Sequence, residues 1–126
     1  MSLDSYFNNI DSVLNHPLIR EVRCQKEKRS SAVGLIVAKV TFTDDSELHI
    51  MEYLEVEAEV EVERKTYRYH YQTHQKQMIF RYDNAAHHPE IPTYPDHRHA
   101  DSGISESRKP DIEEVISEIA SQYIAV

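Results

Sequence analysis

The longest regular pattern in the chain is an alternation. Leu48, Ile50, Leu54, Val56, Ala58, Val60 and Val62 share one parity, and Glu55, Glu57, Glu59, Glu61 and Glu63 share the other. Period two over this length predicts a strand running from Glu47 to Glu63, buried on one face and solvated on the other. Glu52 breaks the pattern, lying on the apolar parity between Ile50 and Leu54. A carboxylate on a buried face is costly unless it is paired or hydrogen-bonded. Arg20, on the apolar parity of its own strand, is the most natural cation to meet it. A strand bend could instead turn Glu52 out at a sheet edge, or it could project into a site and orient a histidine.

Shorter patterns fill in the remainder. Leu3, Phe7, Ile10 and Leu14 lie three or four apart, so residues 1–15 read as a helix capped by Ser2 or Asp4 and ended by Asn15-His16-Pro17. Leu18 to Gln25 alternates, Lys26 to Ser30 is a charged connection, and Ala32 to Thr43 is an apolar, β-branched run suited to a central strand. Asp44-Asp45-Ser46 is a turn. Lys65 to Gln72 alternates again, and Thr73 to Lys76 is a hairpin loop returning through Met78 to Asp83. Register across that hairpin brings Arg68 or His70 close to Arg81 or Asp83. Residues 84–109 read as a proline- and histidine-rich loop. Residues 110–125 form an amphipathic helix with Pro110 in its first turn and a stripe of Ile112, Val115, Ile116, Ile119, Tyr123 and Ile124. The expectation is one α+β domain over residues 1–126: an antiparallel meander of about five strands within 18–83, with both helices on one face.

Composition narrows the function. The 126 residues carry a formal net charge of −8, which argues against a broad DNA-binding surface. One cysteine, Cys24, excludes an internal disulfide and suits a reducing cytoplasm. No run of about eighteen apolar residues occurs, so no membrane span is expected. The apolar stripe of the last helix could be shared with a second copy in a homodimer, and the glutamate row would welcome a basic partner.

The candidate chemistry gathers between Phe80 and His99, which hold four of the eight histidines and three of the five prolines. His87-His88 and His97-Arg98-His99 could bind a zinc-like divalent metal, completed by Asp83, Glu90 or Asp96. His97 and His99, two apart, would share a face if extended. The same groups suit metal-independent phosphodiester chemistry, with His87 or His88 as acid or base, Arg81 meeting phosphate charge and Asp83 orienting a histidine. Arg68 and His70 stand on the neighbouring strand. Tyr69, Tyr82 and Tyr94, with Tyr67 and Tyr71, could stack on unpaired bases of an RNA or nucleotide substrate, and Asn84 and Arg98 are further binding candidates. Tyrosines of one parity equally suit sheet packing.

Tyr67-Arg68-Tyr69-His70-Tyr71, then Phe80-Arg81-Tyr82-Asp83-Asn84-Ala85-Ala86-His87-His88-Pro89-Glu90-Ile91 and Tyr94-Pro95-Asp96-His97-Arg98-His99, resemble the TumE-type toxins from about Leu48 to the C-terminus. Ala86 stands where that family has a proline, and Asp96-His97 where it has a second histidine pair. The resemblance implies a cytoplasmic toxin of a prokaryotic toxin–antitoxin pair, with an antitoxin partner carrying a DNA-binding domain. A ribonuclease is the leading expectation. The alternatives are a metal-dependent hydrolase or metal-binding module using His87, His88, His97 and His99, and a non-catalytic protein-binding module.

Overall fold

The alternating segments pair in the order in which the chain makes them. The computed structural model describes residues 2–57, 61–86 and 88–124. Among these the chain forms α1 (Leu3–Val13), β1 (Ile19–Lys28), β2 (Val33–Phe42), β3 (Glu47–Glu57), β4 (Glu61–Gln72), β5 (Met78–Asp83), β6 (His97–Ala100), β7 (Gly103–Glu106) and α2 (Ile112–Gln122). The strands make one sheet in the order β1 to β7, each neighbouring pair antiparallel. The α+β meander is as expected, with seven described strands in place of about five.

Both helices lie on one face. Ser2 caps α1, its hydroxyl accepting from Ser5 N at 3.1 Å, and Leu3, Phe7 and Ile10 turn inward. Gly34 lets the helix approach β2: a Cβ there would stand 3.1 Å from Phe7 Cζ and 3.2 Å from Leu3 Cδ2. Asp111 caps α2 by accepting from Glu114 N at 2.8 Å, which leaves Pro110 ahead of the helix rather than in its first turn. The stripe of Ile112, Val115, Ile116 and Ile119 is buried, joining Ile36, Val40, Leu48, Leu54 and Phe80 in the core.

Two strand assignments are corrected. The expected strand from Glu47 to Glu63 is a hairpin: β3 ends at Glu57, β4 begins at Glu61, and Val56 pairs with Val62, Glu55 with Glu63. Partners in this register have equal parity, so the alternation passes through the reversal unchanged and hides it. Ala58, Glu59 and Val60 lie outside the described residues. Further along, Leu54 pairs with Arg64 but Tyr53 with Thr66, leaving Lys65 as a one-residue bulge. The bulge flips parity, so that Tyr67, Tyr69 and Tyr71 share the helix-covered face with Glu52, Ile50 and Leu48. The glutamate row meets cations from its own chain: Lys65 bridges Glu57 and stands 4.0 Å from Glu55, and Lys109 lies 3.1 Å from Glu63.

The stretch 84–109 is likewise not all loop. β6 pairs with β5 and β7 with β6, joined by a turn in which Gly103 takes φ 109°. Four-residue strands reading His-Arg-His-Ala and Gly-Ile-Ser-Glu are too short and too polar to declare themselves by periodicity.

Candidate functional site on the uncovered sheet face

Opposite the helices, alternation lays down two cross-strand rows. Arg23, Lys39, His49, His70, Arg81 and His99 are successive partners from β1 to β6. Beside them run Val37, Met51, Arg68, Asp83 and His97 from β2 to β6. The hairpin register, which the sequence narrows only to Arg68 or His70 near Arg81 or Asp83, sets Arg68 opposite Asp83 and His70 opposite Arg81. A groove of about 160 Å³ lined by Val37, His49, Met51 and Arg68 runs along the face, shallow beside the cleft of about 500 Å³ between α1 and α2.

The second row ends in a histidine–carboxylate cluster. Asp83 is 6% exposed and His97 2%. His97 Nδ1 lies 2.8 Å from the Pro95 carbonyl oxygen, which can only accept, so Nδ1 carries the proton. His97 Nε2 stands 2.8 Å from Asp83 Oδ1, yet it has no hydrogen-bond partner among the described residues. Asp83 Oδ1 accepts instead from Ala85 N at 3.0 Å. Asp83 Oδ2 lies 3.5 Å from His99 Nε2. The His88 ring stands over the cluster, with centroids 5.3 Å from His97 and 6.0 Å from His99, while its Nδ1 lies 3.2 Å from Glu90 Oε1. Burial pushes the His99 imidazole down in pKa, against the pull of Asp83.

Arg81 is placed by its neighbour. Its Nε donates to His70 Nδ1 at 3.1 Å, so His70 keeps its proton on Nε2, which lies 3.0 Å from Gln72 Oε1. Burial first, and the Arg81 charge second, hold His70 below the ordinary histidine value. Both nitrogens of His70 are thus engaged, one of them by Arg81. Arg68 is exposed and has no ion-pair partner among the described residues.

Other candidates fall elsewhere. Glu52 is on the helix-covered face at 0% exposure, and Arg20 does not meet it, pairing with Asp45 at the surface. Tyr6 donates to Glu52 Oε1 at 2.7 Å and Tyr69 donates to Oε2, so two hydroxyls replace the expected cation. Arg64 donates to the Tyr69 hydroxyl at 2.7 Å and to the Pro110 carbonyl. Burial still pushes the Glu52 carboxyl up, the tyrosine hydrogen bonds opposing it. Tyr69 is fully buried and stacked on Tyr67 at 5.2 Å, which leaves no ring face for a base. Tyr82 and Arg98 dock α2: Tyr82 donates to Glu118 Oε1 at 2.6 Å, Arg98 pairs with Oε2 at 2.9 Å, and the Tyr82 phenol is pushed up to about 12, chiefly by burial.

Asn84 prolongs the β4 pairing, accepting from Tyr67 N at 3.1 Å and donating to Lys65 O at 3.0 Å. Asp96 accepts from the Tyr67 hydroxyl at 2.8 Å, away from the histidines, and Glu90 holds His88. Tyr94 is 44% exposed. His87 lies outside the described residues. Arg23, Lys39 and His49 were missed; cross-strand register, which joins them to Arg81, has no signal in a single strand's pattern.

The family model described as Toxin TumE matches residues 9–123, and the chain belongs to the TumE toxin family. No curated protein and no solved structure matches it. Among the described residues, no helix is long and apolar enough to cross a membrane.

Proposed function

We propose that this toxin acts on nucleic-acid phosphodiesters, with single-stranded RNA as the substrate class and the uncovered face as its binding track. The observation that carries the reading is the cross-strand row of Arg23, Lys39, His49, His70, Arg81 and His99, in register across six strands, in which Arg23, Lys39 and Arg81 bring positive charge and the histidines bring imidazole nitrogens. At a strand spacing of about 4.8 Å the row is roughly 24 Å long, enough for the smallest single-strand sites of about four nucleotides. The net charge of −8 is no obstacle to this, because binding depends on local rather than net charge, and the carboxylates beside the row are held in pairs. Glu47 stands 3.2 Å from both Lys39 and His49, and Glu21 lies 2.9 Å from Arg23. The Arg23–Glu21 pair is exposed and of a kind worth about 0–1 kcal/mol, so a phosphate displaces it at little cost; Glu47 is more buried, its side chain 18% exposed.

Arg81, oriented by His70, meets phosphate charge through its free guanidinium nitrogens. His88, whose ring stands over the cluster, is the acid or base, and general acid–base groups contribute roughly 10²–10⁴-fold. Family membership supports a cognate antitoxin as the partner; a DNA-binding domain on that partner is an inference from the resemblance. Purified protein is to be tested on end-labelled single-stranded RNA and matched DNA, alongside growth inhibition. Arg81→Ala and His88→Ala should each lower cleavage and toxicity about a hundredfold or more, with unchanged circular dichroism. Full toxicity in both folded variants would remove this face from the mechanism.

A further inference from the structure

Asp83, His97 and His99 present three ligand atoms, one from each residue, all within 4.8 Å of one another. Two of them are awkward without a third party. The His97 Nδ1 is committed to the Pro95 carbonyl, which leaves its buried Nε2 2.8 Å from Asp83 Oδ1 without a hydrogen-bond partner among the described residues. A buried nitrogen and a carboxylate oxygen that stand this close without bonding to each other are what two ligands show when they converge on an ion. Metal–ligand bonds of about 2.0–2.2 Å at angles of about 90–110° set ligand atoms roughly 2.8–3.6 Å apart, and the separations are 2.8 Å from Asp83 Oδ1 to His97 Nε2 and 3.5 Å from Asp83 Oδ2 to His99 Nε2. A metal-bound histidine characteristically donates its other nitrogen to a backbone carbonyl or carboxylate, as His97 does to Pro95.

We propose that Asp83, His97 and His99 bind one divalent transition-metal ion, with open coordination positions facing His88 and Arg81. Two imidazoles and one carboxylate select zinc, manganese, iron, cobalt or nickel over calcium and magnesium, which take mainly oxygen. Three protein ligands with room for water or a substrate oxygen is the pattern of a catalytic rather than a structural centre. What the ion does there rests on the phosphodiester reading: it would polarise a phosphoryl oxygen or supply bound hydroxide near neutral pH. Whether it binds does not rest on that reading. The proposal replaces the metal-independent mechanism expected from sequence and narrows the metal-binding alternative to His97 and His99, with Asp83 as third ligand.

The test uses the full chain without a histidine tag, stripped with chelator and titrated calorimetrically with zinc, manganese, cobalt, nickel or magnesium salts. One ion per chain is expected for at least one transition metal, with magnesium far weaker. A hundredfold excess over Kd should raise Tm by roughly 10 °C. Asp83→Asn keeps the side-chain shape and His99→Ala alters a partly exposed residue, so both should fold even if His97→Ala does not. Each should weaken binding at least tenfold, while His74→Ala on the exposed hairpin turn should leave it unchanged. Undiminished binding in both Asp83→Asn and His99→Ala, or no saturable binding by the unmodified chain, overturns the site. Cleavage of RNA by protein that holds no ion also overturns it as a catalytic centre. A metal-loaded protein that cleaves no nucleic acid instead defeats the phosphodiester reading and leaves the ion site standing.

Discussion

Glu52 and Asp83 are buried carboxylates two strands apart on opposite faces of one sheet, at 0% and 6% exposure. Each Glu52 oxygen accepts a tyrosine hydroxyl, from Tyr6 and from Tyr69, and the helices seal it in. Asp83 faces two histidine nitrogens, one of them without a hydrogen-bond partner among the described residues. Burial alone therefore does not separate structural from functional carboxylates. What separates them is whether their partners are satisfied. A saturated carboxylate is accounted for by its packing, whereas one beside a buried nitrogen that has no partner is the better candidate for a further role.

The sharpest way to break the contrast is activity. Asp83→Asn should reduce RNA cleavage by roughly a hundredfold or more, while Glu52→Gln should leave it within about twofold; equal losses would dissolve the distinction. Stability should show the reverse order. Glu52→Ala leaves two buried hydroxyls without an acceptor and opens a cavity, costing about 2–4 kcal/mol in urea unfolding. Asp83→Ala, measured without metal, should cost less than that.

The pH dependence of stability gives a subtler comparison. Burial raises the Glu52 carboxyl above its ordinary value, so the folded chain holds that proton more tightly than the unfolded one. The resulting stabilisation is fully present below the unfolded value, near about 4.3, and is lost as pH rises through the higher folded value. Urea midpoints of the unmodified chain should therefore fall relative to Glu52→Gln as pH rises through that window. A constant difference would mean the tyrosine hydroxyls fully offset burial. The smallest effect lies on the basic row. Lys39→Ala should reduce the salt-dependence slope of RNA binding by about 0.7, one phosphate's worth for a single strand, read by fluorescence anisotropy across a salt series.

How much of this was legible varied along the chain. That Arg68 and His70 stand near Arg81 and Asp83 could be foreseen because a short loop, Thr73 to Gln77, joins strands whose alternation is clear, but which residue faces which could not. Asp83 opposite His97 could not, since their register spans a loop with no turn rule. Glu52 was recognised as anomalous, but its partners come from α1 and β4, and nothing in the β3 pattern points to Tyr6 or Tyr69. The hairpin within the glutamate row was invisible for a geometric reason, since its register pairs residues of equal parity.

Lys65, the bulged residue of β4, carries a consequence for heredity. It is the one residue left out of the ladder, so the sequence parity changes across it while the residues on either side keep their faces, the tyrosines in the core and Arg68 and His70 on the open side. Losing the one codon would bring Arg64 and Thr66 together, and since these already pair with the adjacent Leu54 and Tyr53, the strand would close into regular alternation with every face kept. Losing any single residue between Thr66 and Tyr71 would instead exchange inside and outside for the residues on one side of the gap. Among descendants of such a gene, residue 65 should vary in identity and in presence, whereas the spacing from Thr66 to Gln72 should not.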